Sequence, residues 1–139
     1  MSEKIWDPLR KKYVALTPEE SVRQWFISQL NQVMQVPIHM MMSEVSLNLG
    51  LKKFRADIII YDKCLKPLVV VECKKPEVNL NNKVLEQTIA YNLVLDVRYI
   101  IITNGRKTFI CEKSSSSEKS YEFLQAYPSY EQMLAAVNL

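Results

Sequence analysis

Apolar residues fall into distinct patterns along this chain, and each pattern predicts a different element. Two β-branched runs, Ile58-Ile59-Ile60 and Leu68-Val69-Val70-Val71, flank a polar stretch ending at Pro67, which predicts a hairpin of strands 54–61 and 67–73. A strand over 44–49 precedes it, across a turn marked by Gly50 and the Lys52-Lys53 pair. Helical spacing of Val22, Phe26, Leu30 and Val33, with Trp25 on the flank, predicts a helix over 17–34. Thr17 caps it, Pro18 occupies the first turn and Glu20 lies three residues after the cap. Glu19 shares the sector of Val22 and Glu20 is rotated away, so Glu20 reads as capping chemistry and Glu19 as the acid aimed inward. A second helix over 84–95 carries Leu85, Ile89 and Leu93, with Asn81 or Asn82 as its cap. The apolar strand 97–103 stops at Asn104-Gly105 and returns as 107–112. The serine run 114–117 reads as a solvated loop, a short helix over 129–137 closes the chain, and the segment before Thr17, with Trp6, Pro8 and Tyr13, reads as an arm packed across the domain.

The element order is α-β-β-β-α-β-β-α. A crossover helix between the third and fourth strands makes that pair parallel, so the expected fold is an α/β (α+β) sandwich, a mixed central sheet flanked by helices. The 139 residues, 48% of them hydrophobic, are expected to form one domain with a real core. A formal charge of +3 suits a polyanionic partner and an ordinary solvated surface equally. Cys64, Cys73 and Cys111 form an odd set with no CxxC pair, and no secretory leader is evident, so a reduced, cytoplasmic protein is expected. No apolar run approaches the roughly 18 residues of a membrane span. The lone histidine, His39, argues against a familiar zinc site and reads as a loop or strand-edge residue, while Met40-Met41-Met42 reads as core or edge filler.

The hairpin carries the candidate chemistry. With its turn near Cys64 and Leu65, the register pairs Tyr61 with Leu68, Ile59 with Val70 and Asp57 with Glu72. Side chains directly opposed on one face have Cβ atoms roughly 4.5–5.5 Å apart, close enough for two carboxylates to share one hard cation. Lys74 lies two residues beyond Glu72 on the same face, and Cys73 points to the opposite one as packing. Two anions so close repel unless something positive lies between them. A strand as apolar as 68–71 ending in charge is unusual unless the charges face a cleft.

Asp57, Glu72 and Lys74, in this element order, resemble the PD-(D/E)xK nuclease superfamily, and within it the N-terminal domain of type I restriction endonuclease R subunits and RecB-type nucleases. The resemblance covers about residues 17–112 and implies a restriction-endonuclease-like core. It further implies that Asp57 and Glu72 bind Mg²⁺, with Mn²⁺ as a substitute, that Lys74 helps the attacking water, and that an acid on the first helix, Glu19 or Glu20, completes the site. Gln87 and Tyr91 resemble the QxxxY motif of the RecB-type branch, four residues apart on one helical face. Ala56 departs from the family's proline before the aspartate. No helicase motor is expected in a chain of this length.

The activity implied is metal-dependent hydrolysis of DNA phosphodiesters, by endonuclease or exonuclease action. Lys75, Lys52, Lys53, Arg55 and Arg106 are candidate contacts to the sugar-phosphate backbone, and other restriction or repair subunits are candidate partners. A second reading stands beside it, a catalytically silent nucleic-acid-binding or assembly module of the same fold. Plainer roles also stand: Glu19 as a helix-dipole partner, Gln87 as a solvated glutamine, Tyr91 as a core tyrosine, Glu44 as exposed strand polarity, and Lys52 and Lys53 as a solvated turn.

Overall fold

A computed structural model describes residues 3–114 and 120–137; Ser115, Ser116 and Ser117 of the expected loop lie outside the described residues. Its strands are β1 (Lys4–Asp7), β2 (Lys12–Ala15), β3 (Met41–Leu49), β4 (Lys52–Tyr61), β5 (Pro67–Cys73), β6 (Tyr99–Thr103), β7 (Thr108–Lys113) and β8 (Tyr121–Phe123). Its α-helices are α1 (Pro18–Gln32), α2 (Asn82–Asn92) and α3 (Tyr130–Val137). β3 to β8 form one mixed sheet in sequential order, and β1 and β2 form a separate ribbon. β5 and β6, joined through α2, pair in parallel as the crossover requires, and the other neighbours are antiparallel. The expected mixed-sheet architecture is therefore present.

Each face of the sheet buries its own apolar cluster. Val22, Phe26, Ile27 and Leu30 of α1 and Tyr130 and Met133 of α3 pack on Ile58, Ile60, Val69 and Val71. Leu85 of α2 packs on the other face against Ala56, Ile59, Val70, Ile100 and Ile102. β5 and β6 are covered on both sides, which explains their unbroken apolar text.

Four expectations need correction. Val33 is not core: α1 ends at Gln32, Gln35 turns left-handed, and Met34 and Val36 are buried instead while Val33 is 57% exposed. Leu93 is likewise exposed, because α2 tightens into a 3-10 turn over Leu93–Leu95 that ends at left-handed Asp96. Tyr61 pairs with Pro67 rather than Leu68, since a bulge shifts the register after Ile60, although Ile59 does oppose Val70. The arm before Thr17 is a hairpin, anchored by a buried acid: Asp7 accepts hydrogen bonds from the Leu9 amide (2.8 Å), the Ser43 hydroxyl (3.2 Å) and Arg10. An inward-facing aspartate is the opposite of the apolar alternation by which strands are read.

Candidate active site

Asp57 sits where β4 changes face. Phe54 and Ala56 belong to the α2 side and Ile58 to the α1 side, and in β3 Val45 and Met41 divide the same way. The β3–β4 register passes from Val45↔Ala56 to Ser43↔Ile58, skipping Glu44 and Asp57, and Glu44 holds a left-handed backbone, φ 51°. A non-glycine residue in that region is strained, a cost that persists only where surrounding contacts hold it.

On the other edge of β4 the pairing with β5 ends at Ile58↔Val71, so Asp57 and Glu72 are not the backbone partners that the register extrapolates. The side chain of Asp57 explains the ending: its Oδ2 accepts the Cys73 amide hydrogen at 2.6 Å, replacing the acceptor a continuing ladder would supply. Burial lifts the Asp57 carboxyl to about 6; the Cys73 amide and Arg23 pull it down, and the charges of Glu19 and Glu72 push it further up. Both acids therefore lie within electrostatic reach of Asp57.

Glu72 points from the end of β5 toward α2. Its Oε2 is 2.6 Å from the Lys74 ammonium, and its Oε1 accepts from the Asn92 amide at 3.2 Å. Asn92 is fully buried and also donates to the Thr88 carbonyl at 2.8 Å. Lys74 is held by its own backbone, whose amide donates to Thr103 on β6 at 2.8 Å. Parallel strands ending together thus fix the acid and the lysine side by side.

α1 supplies the third wall. The Glu20 amide donates to the Thr17 hydroxyl, as the cap requires, but the side chain of Glu20 does not reach back to the cap. It is buried, taking Arg10 at 2.7 Å, Arg23 at 3.3 Å and Gln24 at 3.0 Å. This corrects the expectation that Glu20 faces away, and the reason is Arg23, one turn along on the buried stripe, which sequence patterning left unassigned. Arg23 is 3% exposed, reaches Glu44 at 2.8 Å and Asp57 at 3.4 Å, and has a buried Nε without a hydrogen-bond partner. Its spacing could have revealed it: position 23 lies three residues before Phe26, inside the apolar stripe. Asn92 could have been found the same way, in line with Leu85 and Thr88.

Glu19 is half-buried and lines an open cleft of about 610 Å³ together with Arg10, Glu20, Arg23, Glu44 and Lys75. Burial opposes ionisation of Glu44, yet Arg55 and Arg23 hold its carboxyl below the usual range. Gln87 is exposed on α2. Tyr91 stacks on Phe54, centroids 5.0 Å apart, and its hydroxyl bonds the Arg55 backbone at 3.3 Å and 3.4 Å. Tyr91 therefore stands on β4 two residues from Asp57, and the helix contact to Glu72 comes from Asn92. Lys52 and Lys53 lie five and four residues along β4 from Asp57, roughly 13–17 Å away. Arg106 is exposed beside Trp25 and Pro76 in a second cleft, across the first turns of α1.

Asp57 and Glu72 could hold a hard cation, which takes oxygen donors and, for magnesium, commonly only one or two carboxylates beside water and phosphate. Among the described residues no group of three or more His, Cys, Asp or Glu side chains converges on one point. A family model describing the type I restriction enzyme R protein N terminus matches residues 18–128. The chain belongs to that family. No curated protein matches it. The matched segment of this R-protein N-terminal domain runs from α1 through β8 and contains Asp57, Glu72, Lys74, Gln87 and Tyr91; the β1–β2 hairpin precedes it. The family makes this a restriction-related, nuclease-like domain. No helix among the described residues is long and apolar enough to cross a membrane.

Proposed function

We propose that this domain is a magnesium-dependent deoxyribonuclease of the PD-(D/E)xK type, with Asp57 and Glu72 holding the ion, assisted by Glu19. The observation that carries the reading is the half-buried Asp57 carboxyl, lifted to about 6 beside Glu19 and Glu72, next to the end of β5 where Glu72 and Lys74 meet at 2.6 Å. Such crowding of acids is costly in a fold and is relieved by a bound cation. Bound magnesium, or manganese in its place, supplies charge neutralisation and a water of lowered pKa. The chain's own residues do the rest. Lys74, beside Glu72, faces the scissile phosphate, orients the water and offsets developing negative charge. Asn92 and the Cys73 amide hold the two carboxylates in place. Gln87 and Tyr91 contribute from α2, and Lys75, Lys52, Lys53, Arg55 and Arg106 contact the sugar-phosphate backbone of DNA. The proposed setting is cytoplasmic, alongside other restriction or repair subunits.

The test is cleavage of labelled single- and double-stranded DNA with Mg²⁺, Mn²⁺ or EDTA. Cutting should need the metal, and Asp57→Ala and Lys74→Ala should each lose about 10²- to 10³-fold in rate. Cleavage unchanged in either variant removes that residue from the mechanism. One observation favours a second reading, a catalytically silent binding or assembly module: Arg23 and Lys74 already compensate Asp57 and Glu72. DNA binding that ignores metal, with no cutting, would be its signature.

A further inference from the structure

The β1–β2 hairpin lies before the matched family segment and outside the proposed catalytic group. Ile5, Val14 and the fully buried Asp7 mark its inner face. Alternation places Lys4, Trp6, Tyr13 and Ala15 on the outer face. Trp6 and Tyr13 are cross-strand partners meeting edge to face, centroids 5.1 Å apart, and they are 48% and 66% exposed. Lys4, Lys11 and Lys12 are exposed around them, opposed by exposed Glu3 alone, because Asp7 is buried against Arg10. The ribbon is also fixed in position: Asp7 ties it to Ser43 of β3, and Arg10 ties it to Glu20 of α1.

Its outer face runs on from the cleft. Ala15 belongs to that face and, with Val14 of the inner face, lines the cleft beside Glu19, Arg23 and Glu44. Tyr13 follows two residues further, about 6.5 Å along the strand. A polymer leaving the cleft over Ala15 meets the two aromatic rings next, with lysines to either side.

We propose that this face is a binding platform for single-stranded DNA, bases stacking on Trp6 and Tyr13 and phosphates meeting Lys4 of that face and Lys11 at the turn. The polymer's path through the cleft rests on the nuclease reading; the stacking surface does not. Rings and cations in alternation suit an unpaired strand, whose bases offer free π-faces that a duplex hides. The same ring pair also props up an otherwise marginal two-stranded ribbon, a role that does not depend on nucleic acid.

The experiment uses the full chain carrying Asp57→Asn and Trp25→Phe, in EDTA, so that nothing is cut and Trp6, one of two tryptophans, becomes the sole reporter. An oligothymidylate of about fifteen nucleotides, long enough for one such platform, should quench Trp6 emission saturably. Adding Trp6→Leu with Tyr13→Val should weaken binding, measured by anisotropy of labelled oligonucleotide, about ten- to hundredfold, whereas Trp6→Phe with Tyr13→Phe should largely keep it. Lys4→Gln with Lys11→Gln should flatten the salt slope by about 1.4. If the leucine–valine variant fails to fold, Trp6 quenching and the lysine pair decide. A silent Trp6, or a salt slope that the lysine changes leave as it was, overturns the platform, as does tighter binding of oligouridylate or of duplex. Quenching without cleavage by the unsubstituted chain would sink the nuclease reading alone; cleavage with a silent Trp6 would sink the platform alone.

Discussion

Asp57 is a carboxylate whose charge the fold opposes, and its raised carboxyl makes this measurable. Its folded pKa, about 6, stands above the ordinary aspartate value of 3.8. Between those values the native state binds more protons than the unfolded chain, so stability falls as pH rises from about 4 to 6 and is flat above. The loss contributed by this group is on the order of 3 kcal/mol at most. Asp57→Asn keeps an acceptor for the Cys73 amide and removes the charge; in EDTA it should flatten that dependence and stabilise the protein at pH 8, read from urea midpoints at pH 5 and pH 8. A wild-type curve that rises over this range would contradict the assignment. Arg23 is the counterpart. Its guanidinium lies among Glu20, Glu44 and Asp57, and while Arg10 still pairs Glu20 and Arg55 still pairs Glu44, Arg23→Met leaves Asp57 without its cation and should cost about 3 kcal/mol in the same unfolding measurement. Such a residue escapes sequence reading because an arginine on a helix is ordinarily solvated. Only its alignment with Phe26 hints at burial. Asp57, Glu72 and Lys74 were legible for the opposite reason: charges at the end of unbroken apolar strands break a pattern in plain view.

At the scale of elements, β5 and β6 could be read because both their faces are covered and their text is almost continuously apolar, and β4 through its Ile58-Ile59-Ile60 run. The cap at Thr17 and the Asn104-Gly105 turn were equally plain, being local chemistry with fixed offsets. The face reversal in β3 and β4 was not, since it depends on Glu44 adopting φ 51°, a conformation that its residue type does not announce. Nor was the β1–β2 ribbon, whose inward face is anchored by Asp7 rather than by an aliphatic side chain. That anchor makes a prediction. Burial alone would raise the Asp7 carboxyl, yet bonds from Arg10 and the Leu9 amide hold it below its ordinary value. Asp7→Ala removes the acceptor for the Leu9 amide, Ser43 and Arg10 together. It should destabilise the protein by about 3 kcal/mol and open residues 3–16 to limited proteolysis, while leaving the β3–β8 sheet intact by circular dichroism. Uniform proteolysis across the chain would show instead that the ribbon is part of one cooperative unit.

Across the whole molecule, the local costs share a location. The strained Glu44, the raised carboxyl of Asp57, the orphaned Nε of Arg23 and the breaks in the β3–β4 and β4–β5 pairing all meet where Arg23 of α1 reaches the middle of β3 and β4. Concentrated strain of this kind accompanies sites built to bind rather than to stabilise. If the missing partner is a divalent cation, binding must return stability to the entire cooperative fold, by RT ln(1 + [L]/Kd). That is about 2.7 kcal/mol at a hundredfold excess over Kd, or a rise in Tm on the order of 8 °C for a domain of this size. The gain should be larger at pH 8 than at pH 5, because below about 6 the ion must first displace a proton from Asp57. Chelation should reverse it, and Asp57→Asn should abolish it. Thermal scans of both proteins at the two pH values, with Mg²⁺ and with EDTA, therefore examine the proposed ligand without any substrate present. An equal rise in the Asp57→Asn protein would place the ion elsewhere, and no rise in the wild type at pH 8 would favour a module that works with its internal cations alone.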